Sequence, residues 1–433
     1  MKARFIAFFP FAIFLFVFSL LTYIYAQPNV VRDNFPLCAA FIAIIASFYT
    51  FNQQETFNKR VEIFIQGSTQ SIVIHMCYIF YISTVFTTIL EQTGGIAAAV
   101  AISLYCIPNW CILPGIFIIT SLFSFTVGTS MGAIAAFMPI AIDIAHHLAI
   151  NPSLMAAIIV SGAMFGDNLS ILSDTTITAV NITGCDMKEK FLLNAKIALP
   201  AFIGSLFCLM LHNYYSNAIA ISSYGQIQLL DCIKIIPYIV TFYTALTGLD
   251  IIIVLILGII SALSIGLVLK TITLLQAVNL LFDGFYISKS MVNVFMLVLF
   301  LAGLSHIIHY NGGIEYVINY LKNKVLNARH GKFAIFLLIS SINSIIAINT
   351  IAILMTGPIA KKISVDYRIN PTETACILDI GSCVSQGLLP YAPQLLLAAS
   401  IAQVSALSLL PFLYYQYFLG LSLFCFMILG KEK

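Results

Sequence analysis

The segment Gly166-Asp167-Asn168-Leu169-Ser170-Ile171-Leu172-Ser173-Asp174-Thr175-Thr176 sets two carboxylates, two serines and two threonines into an otherwise apolar run. Apolar Met155–Phe165 precedes it and Ile177–Val180 follows, with no basic residue nearby. A charged side chain at the centre of a membrane helix costs at least about 2.5–3.5 kcal/mol, so two so close together persist only if paired, protonated or ligating. Carboxylate, hydroxyl and freed carbonyl oxygens are the ligands that a small hard cation takes. A carboxylate that can hold a proton or Na+, but not both, is also the smallest device that can exchange them. On this reading Asp167 and Asp174 compete for both ions and are the Na+ ligands, while Ser170, Ser173 and Thr175 supply neutral oxygens. The bland alternative is an ordinary loop outside the membrane.

Such a site presupposes lipid around it, and the composition agrees. Of 433 residues, 61% are hydrophobic and 9% charged, against roughly 25% charged in a globular protein whose surface must be wetted. This excludes a soluble enzyme, a nucleic-acid binder and a disordered scaffold. The net charge of +3 gives no basic face. Long unbroken apolar runs replace the short alternating segments of a β-barrel, so the expected class is an all-α polytopic membrane protein with the bilayer as its partner. The ten cysteines form no CxxC pair and have no histidine at metal spacing, and read as small buried hydrophobes. No cofactor motif and no HExxH enzyme motif is present.

The first run, Phe5 to Ala26, follows Lys2 and Arg4. It is longer than a signal-peptide core of about 7–15 residues, so we read a retained helix with a cytoplasmic N-terminus in the cell (inner) membrane. Further runs cover approximately 35–51, 63–90, 112–145, 152–184, 192–212, 233–249, 251–269, 287–309, 333–360, 372–400 and 408–430, with a polar linker from Asn213 to Asp231.

The chain also repeats itself. Ala133–Gly162 aligns with Ala352–Gly381 at an offset of 219 with 12 of 30 positions identical, where composition alone gives roughly two or three. At nearly the same offset, Gly94-Gly95-Ile96 matches Gly312-Gly313-Ile314. Basic residues alternate between equivalent loops: Lys59 and Arg60 face an uncharged stretch near Gln276, and Ser103–Leu113 faces Lys322, Lys324, Arg329 and Lys332. Lys188, Lys190 and Lys196 have a neutral counterpart around Ser405–Tyr415. By the positive-inside rule the second half is inverted. The expected organisation is an N-terminal helix (1–32), repeat 1 (33–190), connecting helices and linker (191–249), inverted repeat 2 (250–410) and a C-terminal helix (411–433). Keeping Lys361, Lys362 and Arg368 inside requires that 112–145 and 333–360 be re-entrant hairpins, turning at Gly128-Thr129-Ser130 and Asn349-Thr350. Non-helical backbone at membrane depth must line a protein-buried cavity, and inverted repeats with broken elements at the midplane build secondary transporters. Thr129, Ser130, Asn349 and Thr350 therefore join the candidate ion ligands. In the second half, Gly381 to Pro393 offers Ser385 and Gln386 but no carboxylate. Asp379, two residues before it, is a second titratable site or a hydrogen-bonded helix contact; Asn168, Ser385 and Gln386 complete the secondary candidates.

Gly162-Ala163-Met164-Phe165-Gly166-Asp167 through Ser173-Asp174-Thr175-Thr176 resembles the signature of NhaC-type sodium/proton antiporters, close to G-A-x-F-G-D-K-x-S-P-L-S-D-T-T. Gly128-Thr129-Ser130-x-Gly132 is similar to that family's G-T-S-W-G stretch. The resemblance spans roughly 60–400 and implies the ion transporter superfamily, with inverted repeats and hairpin tips at the transport site. It implies Na+ and H+ as transported ions; a homodimer is left open. The sequence departs where Asn168 replaces a lysine, Ile171 a proline, and Gln386-Gly387-Leu388-Leu389-Pro390-Tyr391-Ala392 a pattern close to S-P-L-I-P-W-N. The leading expectation is therefore a Na+/H+ antiporter working by alternating access. The alternative is a Na+- or H+-coupled carrier of a small organic anion (dicarboxylate, lactate or amino acid). A channel or a sensor without transport is the third class.

Overall fold

The computed structural model describes residues 5–24, 35–50, 55–106, 111–171, 173–215, 229–247, 249–287, 289–322 and 327–429. Lys2, Arg4, Lys324 and most of the expected linker lie outside them. Every regular element among the described residues is helical. Helices α1 (Phe9–Ile24) and α2 (Phe35–Thr50) open the chain, followed by α3 (Phe57–Ser68), α4 (Ser71–Thr93) and α5 (Gly95–Cys106). The run expected over 63–90 is thus two helices. Polar Asn58, Lys59, Arg60, Glu62 and Gln66 give α3 a wet face, and its last turn closes through the Thr69 amide on the Ile65 carbonyl.

Next come α6 (Ile112–Val127), α7 (Ser130–His147), α8 (Pro152–Leu169), α9 (Asp174–Thr183) and α10 (Met187–Tyr215). The later part of the chain holds α11 (Leu229–Lys234), α12 (Ile236–Leu246), α13 (Ile251–Val268), α14 (Leu274–Ile287), α15 (Lys289–Tyr310) and α16 (Gly313–Lys322). It ends with α17 (Ala328–Ile346), α18 (Asn349–Asp366), α19 (Pro371–Gly387), α20 (Pro393–Ala402), α21 (Ala406–Leu409) and α22 (Tyr414–Leu429). Among the described residues, five spans satisfy the length and apolarity of a membrane crossing: 71–93, 152–183, 187–214, 251–268 and 292–310. The α20–α21 region forms a pair bent by 99°.

Local structure recurs at the offset of 219. Gly128 and Ala347 end α6 and α17 in the left-handed region, at φ 75° and 56°. Asn151 and Asn370 cap α8 and α19, each accepting from the amide two residues on, ahead of a proline that needs no hydrogen-bond partner there. Ala149 and Arg368 both take φ 52° in the preceding turn. Helices α9 and α20 have ten residues each and end at left-handed Gly184 and Gln403.

Helix directions follow from close contacts. A Cβ on Gly162 would lie 2.7 Å from the Phe117 carbonyl, and one on Gly166 only 2.2 Å from the Ser121 carbonyl. Both numbers rise together, so α6 runs parallel to α8. Helix α7 turns into α8 through Leu148–Asn151 and is antiparallel to it, so α6 and α7 form a helical hairpin with its tip at Gly128–Thr129. Helices α17 and α18 repeat this against α19, where the Asn343 amide donates to the Ser382 carbonyl at 2.8 Å. The second tip is Ala347–Ile348, two residues before the expected one, because Asn349 already begins α18. Arms of 16 and 18 residues reach about 24–27 Å, short of a hydrocarbon core of about 30 Å. The halves interlock: α9 packs on α18 and α19, and α20 packs on α7 and α8.

Because backbone itself meets Gly166, adding one methyl must push the first hairpin away from α8. Gly166→Ala is expected to cost about 1–3 kcal/mol, read as a lower melting temperature of the detergent-solubilised protein. Gly420→Ala, whose Cβ would meet only Val384 Cγ1 at 3.3 Å, is the control and should melt near wild type.

Candidate functional site

Helix α8 continues through Leu169, so Asp167 and Asn168 are helical, and the next helix begins at Asp174. Asp167 is buried. The Ser130 and Ser173 hydroxyls and the Ser130 amide are the hydrogen-bonding groups that face its carboxylate. Ser130 is the first residue of α7, and the Thr129 side chain makes no cap there. Asp167 therefore places its charge at the positive end of the α7 dipole. Ser173 pairs with the Thr175 hydroxyl at 2.9 Å. A carboxylate ringed by rotatable hydroxyls can turn their lone pairs onto an arriving cation and their protons back onto the carboxylate when it leaves.

Ser130 connects this half to the other. Gln394 Nε2 lies 3.4 Å from Ser130 Oγ, and Gln386 donates to Gln394 Oε1 at 2.8 Å and to the Ala347 carbonyl at 2.9 Å. The Tyr391 hydroxyl reaches the Ser344 carbonyl, so carbonyls that α17 leaves unpaired at its end are covered by side chains. Asn343 donates to Ser385 Oγ at 3.0 Å and lies 3.5 Å from Asn349 Oδ1. The offset counterpart of Asp167 is Gln386, an amide at the other tip.

A second cluster adjoins the first. Lys190 and Asp379 are 1% and 0% exposed and form an ion pair between α10 and α19. The same Asp379 oxygen accepts from Thr176 at 3.2 Å and from Asn194 at 3.0 Å. Asn194 also donates to the Asn168 carbonyl at 2.9 Å, and Asn168 to the buried Tyr415 hydroxyl at 2.9 Å. The two aspartates Asp167 and Asp379 are within electrostatic range. Three buried oxygens here, Asp379 Oδ1, Asn168 Oδ1 and Asn194 Oδ1, have no hydrogen-bond donor. The counterparts of Lys190 and Asp379 are Leu409 and Val160, so this cluster occurs once.

The sequence-predicted residues divide clearly. Asp167, Ser130, Ser173, Thr175, Asn168, Gln386, Ser385, Asn349 and Asp379 enter these networks. Ser170 is buried at the end of α8, with its amide on the Gly166 and Asp167 carbonyls. Thr129 and Thr350 are half-buried beside the tips. Asp174 stands apart: it is exposed, with His75 and Asp250 as its charged neighbours. It opens α9, and its side chain leaves the helix on the side away from Thr175 and Thr176, which are buried.

Lys190, Asn194, Thr176, Asn343 and Gln394 are functional candidates that sequence reasoning missed. The sequence pattern puts Lys190 and Lys332 among the loop charges, whereas in the fold both are buried. Lys332 pairs with Glu373 at 2.8 Å and lies 5.6 Å from the Phe426 ring centre. A signal for Lys190 existed in its four-residue spacing from Asn194, which puts both on one helix face. Near Lys332 and Glu373 a cavity of about 900 Å3 opens, lined by Glu189, Arg329, Arg368 and Thr372 among others.

Comparison with known proteins supplies the context. A family model described as the Na+/H+ antiporter family matches residues 3–212 and again 196–431. An uncharacterized Na+/H+ antiporter of Haemophilus influenzae is 23% identical over 70% of this chain and 71% of its own. A malate-2H+/Na+-lactate antiporter of Bacillus subtilis is 21% identical over 69% of each. The Na+/H+ antiporter NhaC of Alkalihalophilus pseudofirmus is 32% identical over 22% of this chain and 21% of its own.

The buried pair makes a stability test. Removing one partner strands a charge and costs about 3–5 kcal/mol, whereas replacing both by apolar groups is often neutral. In choline medium, Lys190→Met should melt well below wild type, and Lys190→Met/Asp379→Leu should recover most of the loss.

Proposed function

The chain belongs to the Na+/H+ antiporter family, a family of transporters rather than enzymes, and from that premise we propose that it exchanges Na+ for H+ across the cell membrane by alternating access, in the NhaC manner. The observation that carries this reading is Asp167: one buried carboxylate, faced by two hydroxyls and an amide where a broken helix meets a hairpin tip. Na+ takes the Asp167 carboxylate with Ser130, Ser173 and Thr175 as neutral oxygens. A proton takes the same carboxylate when Na+ leaves. Asp174, exposed beside His75 and Asp250, lies on the approach rather than in the site.

The reading includes two inverted halves with both hairpin tips at the midplane and a cytoplasmic N-terminus. Exposed Lys188 and Lys361 then share the cytoplasmic side. A second reading, carriage of a small organic anion, is favoured by amide donors Gln386, Gln394 and Asn343 beside the tips and by the relative named for malate and lactate. Lys190 does not serve it, because Asp379 already holds that ammonium.

The test is dequenching of a pH dye in everted vesicles. Na+ should dequench with wild type, and Asp167→Asn should abolish the response. Asp174→Asn should stay within about tenfold of wild type, a change of about 1.4 kcal/mol. Protons compete for Asp167, so half-saturating Na+ should rise as pH falls. No response to Na+, with one to lactate or malate, would select the organic-anion reading. Cysteines at 188 and 361 labelled from opposite sides would overturn the inverted topology.

A further inference from the structure

We propose that Asp379 and Asn194, with Asn168, form a second Na+ site, separate from Asp167, in which the Lys190 ammonium is a tethered cation that Na+ displaces. The proposal rests on the exchanger reading for its choice of cation, and on geometry for its place.

Three observations converge. First, the cluster is built for positive charge: Lys190 Nζ sits between Asp379 Oδ2 and the Thr176 hydroxyl, two oxygens contributed by different parts of the chain. Second, the ammonium does not saturate the oxygens around it. Asp379 Oδ1 and Asn194 Oδ1 are buried with no donor, although the residues are 0% and 1% exposed and hydrogen-bonded to each other. The orientation of the Asn194 amide is fixed, since its nitrogen donates to both the Asn168 carbonyl and Asp379. Its oxygen is therefore left over as an acceptor. Asn168 Oδ1 is a third unpaired buried acceptor. Buried polar atoms are ordinarily paired, and an unpaired acceptor costs about 1–3 kcal/mol. A group of unpaired acceptors beside a carboxylate fits an oxygen-ligated cation, which satisfies several lone pairs at once; a lysine offers only three donors on a fixed stem.

Third, a cavity with carboxylates in its wall opens one residue along the chain from the lysine. Glu189, the residue before it, lines the 900 Å3 cavity together with Glu373 and Thr372, and Thr372 donates to Glu189 at 3.1 Å. Glu373 precedes Asp379 by six residues, about 9 Å along α19. Na+ for ammonium is a swap of one positive charge for another, so the charge at Asp379 stays balanced whichever cation occupies it.

The experiment is equilibrium binding of radioactive 22Na+ to the purified full chain in detergent, in an Asp167→Asn background that removes the first site. Asp167→Asn/Lys190→Gln should bind Na+ saturably and at least about tenfold more tightly than Asp167→Asn alone, because the tethered competitor is gone. Adding Asp379→Asn should eliminate this binding. Equal Na+ binding by the Lys190→Gln form and the form that also carries Asp379→Asn would overturn the proposal. Lys190→Gln strands a carboxylate and could unfold in choline, so its melting temperature is read as well. Na+ should raise it by more than it raises that of the form carrying Asp379→Asn, and equal melting in Na+ and choline would overturn the proposal too. These outcomes are independent of transport. Wild type that moves no protons on Na+ addition would sink the exchanger reading and leave the binding result standing.

Discussion

A charge that lies out of reach of water must keep an opposite charge beside it, and the arrangement of this molecule's centre follows from that constraint. Lys190 and Asp379 come from α10 and α19. Separating them would leave each in a low dielectric without a partner. Thr176 from α9 and Asn194, which also holds the end of α8, are drawn into the same knot. The break between α8 and α9 is thereby fastened on both sides to the other half of the chain.

The rest of the centre is shaped by close approach. Gly162 and Gly166 bring α6 against α8 at backbone distance, which carries the first tip to the level of Asp167. The second tip reaches the same position by different means. Its left-handed residue is Ala347 rather than glycine, and Gln386, Tyr391 and Asn343 supply side-chain hydrogen bonds around it. One tip relies on backbone freedom and the other on polar side chains.

Much of this was legible in the sequence. The offset of 219 located the two hairpin turns to within two residues, because glycines and prolines act locally. Asp167 stood out for the same reason, as a carboxylate in an apolar run. What could not be read is long-range. Lys190 resembles a loop charge until Asp379, in the other half, is placed beside it. The exposure of Asp174 depends on where α9 restarts, a shift of one residue. The left-handed turn at Ala347 has no glycine to announce it. Helix α8 running on through Asn168 likewise reflects tertiary packing of Asn168 on Tyr415 rather than propensity.

The recurrence is one of backbone and not of charge: Asp167 answers to Gln386, Lys190 to Leu409 and Asp379 to Val160. Two halves identical in sequence would carry the same charges at equivalent places, and these do not. A scaffold whose backbone repeats is thus made electrostatically one-sided, with Lys190 and Asp379 paired in one place only.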